Sequence, residues 1–160
     1  MKVILALSAL LFTVKLADRR ITFDVVIVNT GKVDVDRSIV EFPKFQHEFG
    51  IVDARSNGSS SATYGGAHKM WPKIITVSWV DLDTTERAYR QRVAVPPPML
   101  DNSEQPLELV AEIRDGKVCV YPRIYDLGRP TRYRFQQDPP CNFASLKMAE
   151  QVPVPTKIDF

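Results

Sequence analysis

The chain has 160 residues and a mass of 18.1 kDa, enough for one domain with its own core. Hydrophobic residues at 44% and charged residues at 25% are ordinary globular usage, which excludes a disordered or fibrous chain. A formal charge of +2 is too small to make nucleic acid the main partner.

At the N-terminus Lys2 is followed by a run, Val3 to Val14, in which every residue is apolar or small. That length suits the hydrophobic region of a signal peptide and is too short to span a bilayer comfortably. Residues 1–17 are therefore expected to be an export segment and 18–160 a single domain, so membrane association would come only through the N-terminal segment. The other reading of the run is a core strand or a short buried helix. Ala17 fits the position before a cut, although Lys15 then stands where a small side chain is favoured. No cysteine follows the run to carry a lipid.

In "ITFDVVIVN" (21–29), Ile21, Phe23, Val25 and Ile27 share a face while Val26 and Val28 add apolar character to the other, the pattern of a strand inside a sheet. "NTGK" (29–32) turns the chain, with Gly31 free to take positive φ. "RSIVEF" (37–42) is a shorter strand that Pro43 ends, and another is expected around 49–54. Residues 55–71 read as a polar loop around the Ser/Gly stretch "SNGSSSATYGG". In "IITVSWV" (74–80), Ile75, Val77 and Trp79 alternate with Thr76 and Ser78, and "AYRQRVAV" (88–95) should return antiparallel.

After the proline-rich loop 96–106, "LELVAEI" (107–113) and "VCVYPRI" (118–124) flank Asp115-Gly116, the favoured pair for a type I′ hairpin turn. "TRYRF" (131–135) gives one more strand, and "NFASLKMAEQ" (142–151) a short helix. The sum is an all-β, mainly antiparallel chain: a single β-sandwich with a short C-terminal helix. Cys119 and Cys141, the only cysteines, form a disulfide or remain two thiols, one of them buried; the spacing leaves both readings open.

No catalytic constellation appears. His47, His68, Met70 and the cysteines lack the short spacings with which one segment holds two metal ligands. A Gly-x-Ser-x-Gly elbow is missing, as is a glycine-rich phosphate loop ahead of a helix, and "DLDTTE" (81–86) lacks the glycine of a calcium loop. The chain therefore reads as a binding protein without metal or cofactor, not an enzyme. "GGAHKMWPKIITVSWVD" (65–81) reads as a loop entering a central strand, with Trp79 in the core and Trp71 packed at the end of the fold.

The loop before that strand carries Arg55, Tyr64, His68, Lys69 and Met70, side chains suited to a protein interface. On strand 88–95, Arg90 and Arg92 share a face and form part of a basic stripe able to meet an acidic partner. These seven residues are the candidate partner-binding set, against the plainer reading of a solvated loop and sheet face. An exported small-ligand or glycan-binding module is the alternative, with Trp71 and Tyr64 as stacking platforms.

The order of "NTGK", a Gly-Gly loop and proline before "ITVSW", then "VAVPPP" and "LELVAEIRDGKVCVYP", resembles the small periplasmic immunity proteins, often lipoproteins, encoded beside antibacterial type VI secretion effectors. Those paired with phospholipase effectors are the nearest in pattern. The resemblance covers roughly 21–125 and rests on strand patterns, and the lipid-bearing cysteine is missing. It implies a periplasmic protein of no enzymatic activity that binds a cognate toxin and blocks its active site. Interface residues in such proteins diverge with each toxin, so none is carried over.

Overall fold

The computed structural model describes residues 23–54, 60–64, 70–98, 107–124 and 141–156. They form strands β1 (Asp24–Asn29), β2 (Val35–Glu41), β3 (Gln46–Phe49), β4 (Ser60–Tyr64), β5 (Ile74–Asp81), β6 (Arg87–Ala94), β7 (Leu107–Arg114), β8 (Lys117–Ile124) and β9 (Glu150–Val152). No helix occurs among the described residues. Two sheets result: β4-β1-β7-β8 and β3-β2-β5-β6-β9. Every pair is antiparallel except β1 with β7.

The parallel β1–β7 pair explains the apolar doubling in both sequences. Strands in such a position are covered on both faces and lose the clean alternation of a half-exposed strand. Val25, Ile27, Leu109, Ala111 and Ile113 turn to one side, where they join Val118, Val120, Val40, Ile75, Val77, Trp79 and Tyr89 in a core drawn from both sheets. On the other side, Val26, Val28 and Val110 meet Cys119, Tyr121 and Phe143 in a second apolar cluster.

Local chemistry sets the connections. Asp115 (φ 48°) and Gly116 (φ 76°) both take left-handed backbone, as a type I′ turn demands, so the expected hairpin forms with Arg114 opposite Lys117. Gly31, in contrast, does not take positive φ; what the position requires is space. A Cβ there would lie 3.0 Å from the Asp115 amide nitrogen and 3.2 Å from Asn29 Oδ1. The buried Asn29 side chain ties this turn to its surroundings, donating to the carbonyls of Val33 (2.8 Å) and Val52 (3.0 Å) and accepting from the Gly31 N–H (3.0 Å).

Three further sequence expectations need correction. Residues 60–64, placed in the polar loop, are strand β4, paired antiparallel with β1 from Val25–Tyr64 to Asn29–Ser60. The β-branched run of β1 leaves a ladder edge that must find donors and acceptors, and this pairing supplies them whatever the segment's polarity. The helix expected at 142–151 is instead a turn followed by β9. Asn142 closes that turn through its own backbone and side chain: its carbonyl accepts from the Ser145 N–H (3.0 Å) and its Oδ1 from the Ala144 N–H (3.1 Å). Such local bonds compete with helix propagation. Lys117 Nζ takes the Phe143 carbonyl (2.8 Å) and the Ala149 N–H donates to Gly116 (2.9 Å), which holds the segment extended toward its pairing with β6. The strand expected around 49–54 starts earlier, at Gln46, and Val52 keeps only a bridge to Val35.

Cys119 and Cys141 are joined in a disulfide, with Cα atoms 6.2 Å apart, a normal span for such a bridge. It fastens the segment bearing Phe143 against the outer face of the four-stranded sheet. The expected strand 131–135 and the export segment 1–17 lie outside the described residues.

Candidate partner-binding site

Strand β6 alternates as its sequence demands. Tyr89 turns inward and is buried, while Arg90 and Arg92 project from the outer face of the five-stranded sheet. The register sets Arg90 between Ser78 on β5 and Glu150 on β9, and Arg92 opposite Thr76, which in turn faces Glu41 on β2. The expected arginine pair therefore stands together on one exposed face. It is not a uniform basic stripe. Arg90 donates to Glu41 Oε2 at 2.7 Å with its side chain half exposed, a pair worth little in stability because water screens it. The Arg92 side chain, two residues along, has neither ion pair nor hydrogen bond among the described residues.

Met70 is 71% exposed, the most open of the large apolar side chains among the described residues. Tyr64 is the last residue of β4, in register with Val25. Arg55, His68 and Lys69 lie outside the described residues. Of the seven sequence candidates, then, Arg90 and Arg92 are brought side by side and Met70 stands in the approach to β5.

The two tryptophans behave as their spacing suggested. Trp79 is buried, stacks on Tyr89 across the strand pair and donates its indole N–H to Asp81 Oδ1 (3.1 Å). Trp71 is half-buried, its ring edge-on to Phe23 at 4.9 Å and its N–H donated to the Pro96 carbonyl at 2.8 Å. Both polar and apolar parts of Trp71 are thus engaged with the protein itself, which weakens it as a platform for stacking a sugar.

Sequence reading missed an aromatic cluster at one end of the same sheet. Phe45 stacks on Phe42 with ring centroids 4.4 Å apart, and His47 lies edge-on to both rings. Burial there holds the His47 imidazole below its usual pKa, favouring the neutral ring. The signal for this cluster was the compact "FPKFQH" (42–47), in which proline forces a turn between two aromatics.

It also missed the polar network on the outer face of the four-stranded sheet. Glu112, almost fully buried, accepts from the Thr30 hydroxyl (2.7 Å), from Arg114 (2.9 Å) and from the Tyr121 hydroxyl (3.1 Å). Glu108, equally buried, is paired with Arg123. Burial, reinforced by Glu112, drives the Tyr121 phenol well above its usual pKa. These carboxylates have their charge matched within the fold, so the network is better suited to fixing the sheet than to receiving a substrate.

Among the described residues no three His, Cys, Asp or Glu side chains are grouped to hold a metal ion. No protein-family model, curated protein or solved structure matches the chain.

Proposed function

We propose that the chain is an exported immunity protein: its two sheets close as one β-sandwich over residues 18–160, which binds a cognate antibacterial effector and neutralises it by occluding the effector's active site. A phospholipase effector is the leading candidate for that partner, and the periplasm the place of the encounter. The observation that carries the reading is the outer face of the five-stranded sheet. Arg90 and Arg92 stand there side by side in solvent on a rigid central hairpin, with exposed Met70 in the approach to the same hairpin. Arginine and large apolar side chains held on rigid strands are the usual anchors of tight protein interfaces. The Cys119–Cys141 bridge supports an oxidising compartment, since such bonds persist mainly outside the cytosol.

The test is to mix the purified chain with the secreted toxin encoded beside it and follow both complex formation and the toxin's hydrolytic activity. A stoichiometric complex with loss of hydrolysis is expected. Arg90→Ala with Arg92→Ala should weaken it by about tenfold or more. A folded chain that forms no complex and leaves the toxin active overturns the reading.

A further inference from the structure

One end of the five-stranded sheet gathers three separate segments. The Phe42 N–H donates to the Phe45 carbonyl (2.8 Å), closing the turn after β2. The Val95 N–H donates to the Lys73 carbonyl (2.9 Å) and the Trp71 indole to Pro96 (2.8 Å), tying the approach to β5 to the exit from β6. In register, Glu41, Thr76 and Arg92 lie on one row, and Ile74 opposite Ala94 lies two rows further toward this end, beyond the Ile75–Val93 pair.

Three large apolar side chains are open to solvent on these segments: Phe45 at 43%, Met70 at 71% and Ile74 at 41%. Lys44 adjoins Phe45, Lys73 adjoins Ile74, and Arg92 is the diagonal neighbour of Ile74 across the β5–β6 pair. The side chains of Lys44, Lys73 and Arg92 make no ion pair or hydrogen bond among the described residues. Glu41, the acid on the Arg92 row, is engaged by Arg90 instead. The end of the sheet thus combines exposed apolar area with three cations whose side chains have no ion pair among the described residues.

We propose that this end is the anchoring part of the docking surface, and that the partner surface it fits is acidic, with carboxylates around an apolar hollow. This deepens the immunity reading and rests on it. Apolar side chains supply the buried centre of such a contact, and the unpaired cations supply its orientation and its rate of encounter. A lipid surface fits less well. The adjoining sheet face carries Glu41, Glu48 and Glu150, which a uniformly anionic bilayer repels and a protein of mixed charge accommodates.

Amide chemical shifts of the full chain, titrated with a short peptide alternating glutamate and leucine, test the surface directly; the lysine–leucine counterpart and phosphatidylglycerol vesicles serve as comparators. Shifts confined to 44–45, 70–74 and 92–94, seen only with the acidic peptide, are expected. The combined variant Lys44→Glu, Lys73→Glu, Arg92→Glu should lower the affinity for the cognate toxin by about tenfold or more and flatten its salt dependence, with an unchanged melting temperature confirming the fold. Ile74→Ser with Met70→Ser should weaken the same complex while keeping its salt dependence. Peptide shifts elsewhere, together with wild-type toxin binding by the charge-reversed variant, overturn the surface and leave the immunity reading standing. Shifts at this end without any toxin complex overturn that reading and, with it, the partner named here. Binding to the vesicles in place of the peptide overturns the choice of a protein partner.

Discussion

Trp79 and Tyr89 face each other across β5 and β6 with ring centroids 5.4 Å apart and planes inclined by 23°. Both are buried, so the pair joins β5 and β6, the strand that carries Arg90 and Arg92, to the core beneath them. Trp79→Ala should cost about 3–5 kcal/mol, the usual loss for deleting a buried large aromatic. Trp79→Phe should cost less while leaving Asp81 without its indole donor. Urea denaturation of the two variants measures both effects, and a loss well under 1 kcal/mol (roughly the size of a surface substitution) for the alanine variant would show that the hairpin is not anchored here.

Asp81 makes stability depend on pH. Burial raises its pKa above the usual 3.8, against opposing contributions from the Trp79 hydrogen bond and Arg87. The folded chain therefore keeps this proton to higher pH than the unfolded chain does. Across the window from 3.8 up to the raised value, this group's contribution to stability falls as pH rises, and the loss then remains constant. Asp81→Asn retains an oxygen to accept from the indole and removes the titration. The variant is expected to melt higher than wild type at neutral pH and to lose that advantage in acid. Equal melting temperatures at all pH values would contradict the assignment.

The Asp115–Gly116 hairpin and the alternation of β5 and β6 were legible because each depends on neighbours in sequence: a turn pair with two left-handed residues, and a period of two. Arg90 and Arg92 were legible for the same reason. Strand β4 was not. Its residues are small and polar, and it is a strand because β1 needs a partner on that edge. The end of the sheet with Phe45, Lys73 and Ile74 was equally hidden, since it joins three segments through bonds such as Val95 to Lys73 that no local pattern announces. In 142–151 the expected helix gave way to competing bonds: Asn142 Oδ1 takes the Ala144 N–H and Lys117 takes the Phe143 carbonyl.

The disulfide gives a prediction with two separable readouts. It closes a sequence separation of 22 residues, for which the chain-entropy model gives about 3 kcal/mol. Replacing both cysteines by alanine should lower stability by about that amount. Hydrogen exchange should rise first across 141–146, where Phe143 and Leu146 lie against the outer face of the four-stranded sheet. Amides of β1 and β7 should keep their protection below the global transition, being central to that sheet. Uniform acceleration everywhere would mean that the bridge stabilises only the chain as a whole.

Glu112 sets the last prediction, because three donors converge on its carboxylate and Arg114 also spreads over the Phe143 ring at 4.3 Å. Glu112→Ala leaves the Thr30 and Tyr121 O–H donors without their acceptor and a cation beside an apolar cluster, which should cost about 3 kcal/mol. Tyr121→Phe removes one donor of three and should cost about 1 kcal/mol. The raised phenol pKa has its own sign. Unfolded Tyr121 ionises near 10.0 while the folded residue keeps its proton, so this group's contribution is intact below that pH and is lost as pH climbs past it. Alkaline unfolding followed by tyrosinate absorbance should therefore show one phenol that ionises only as the fold is lost. In Tyr121→Phe that coupled signal should vanish, and its persistence would assign the late-ionising phenol to another tyrosine.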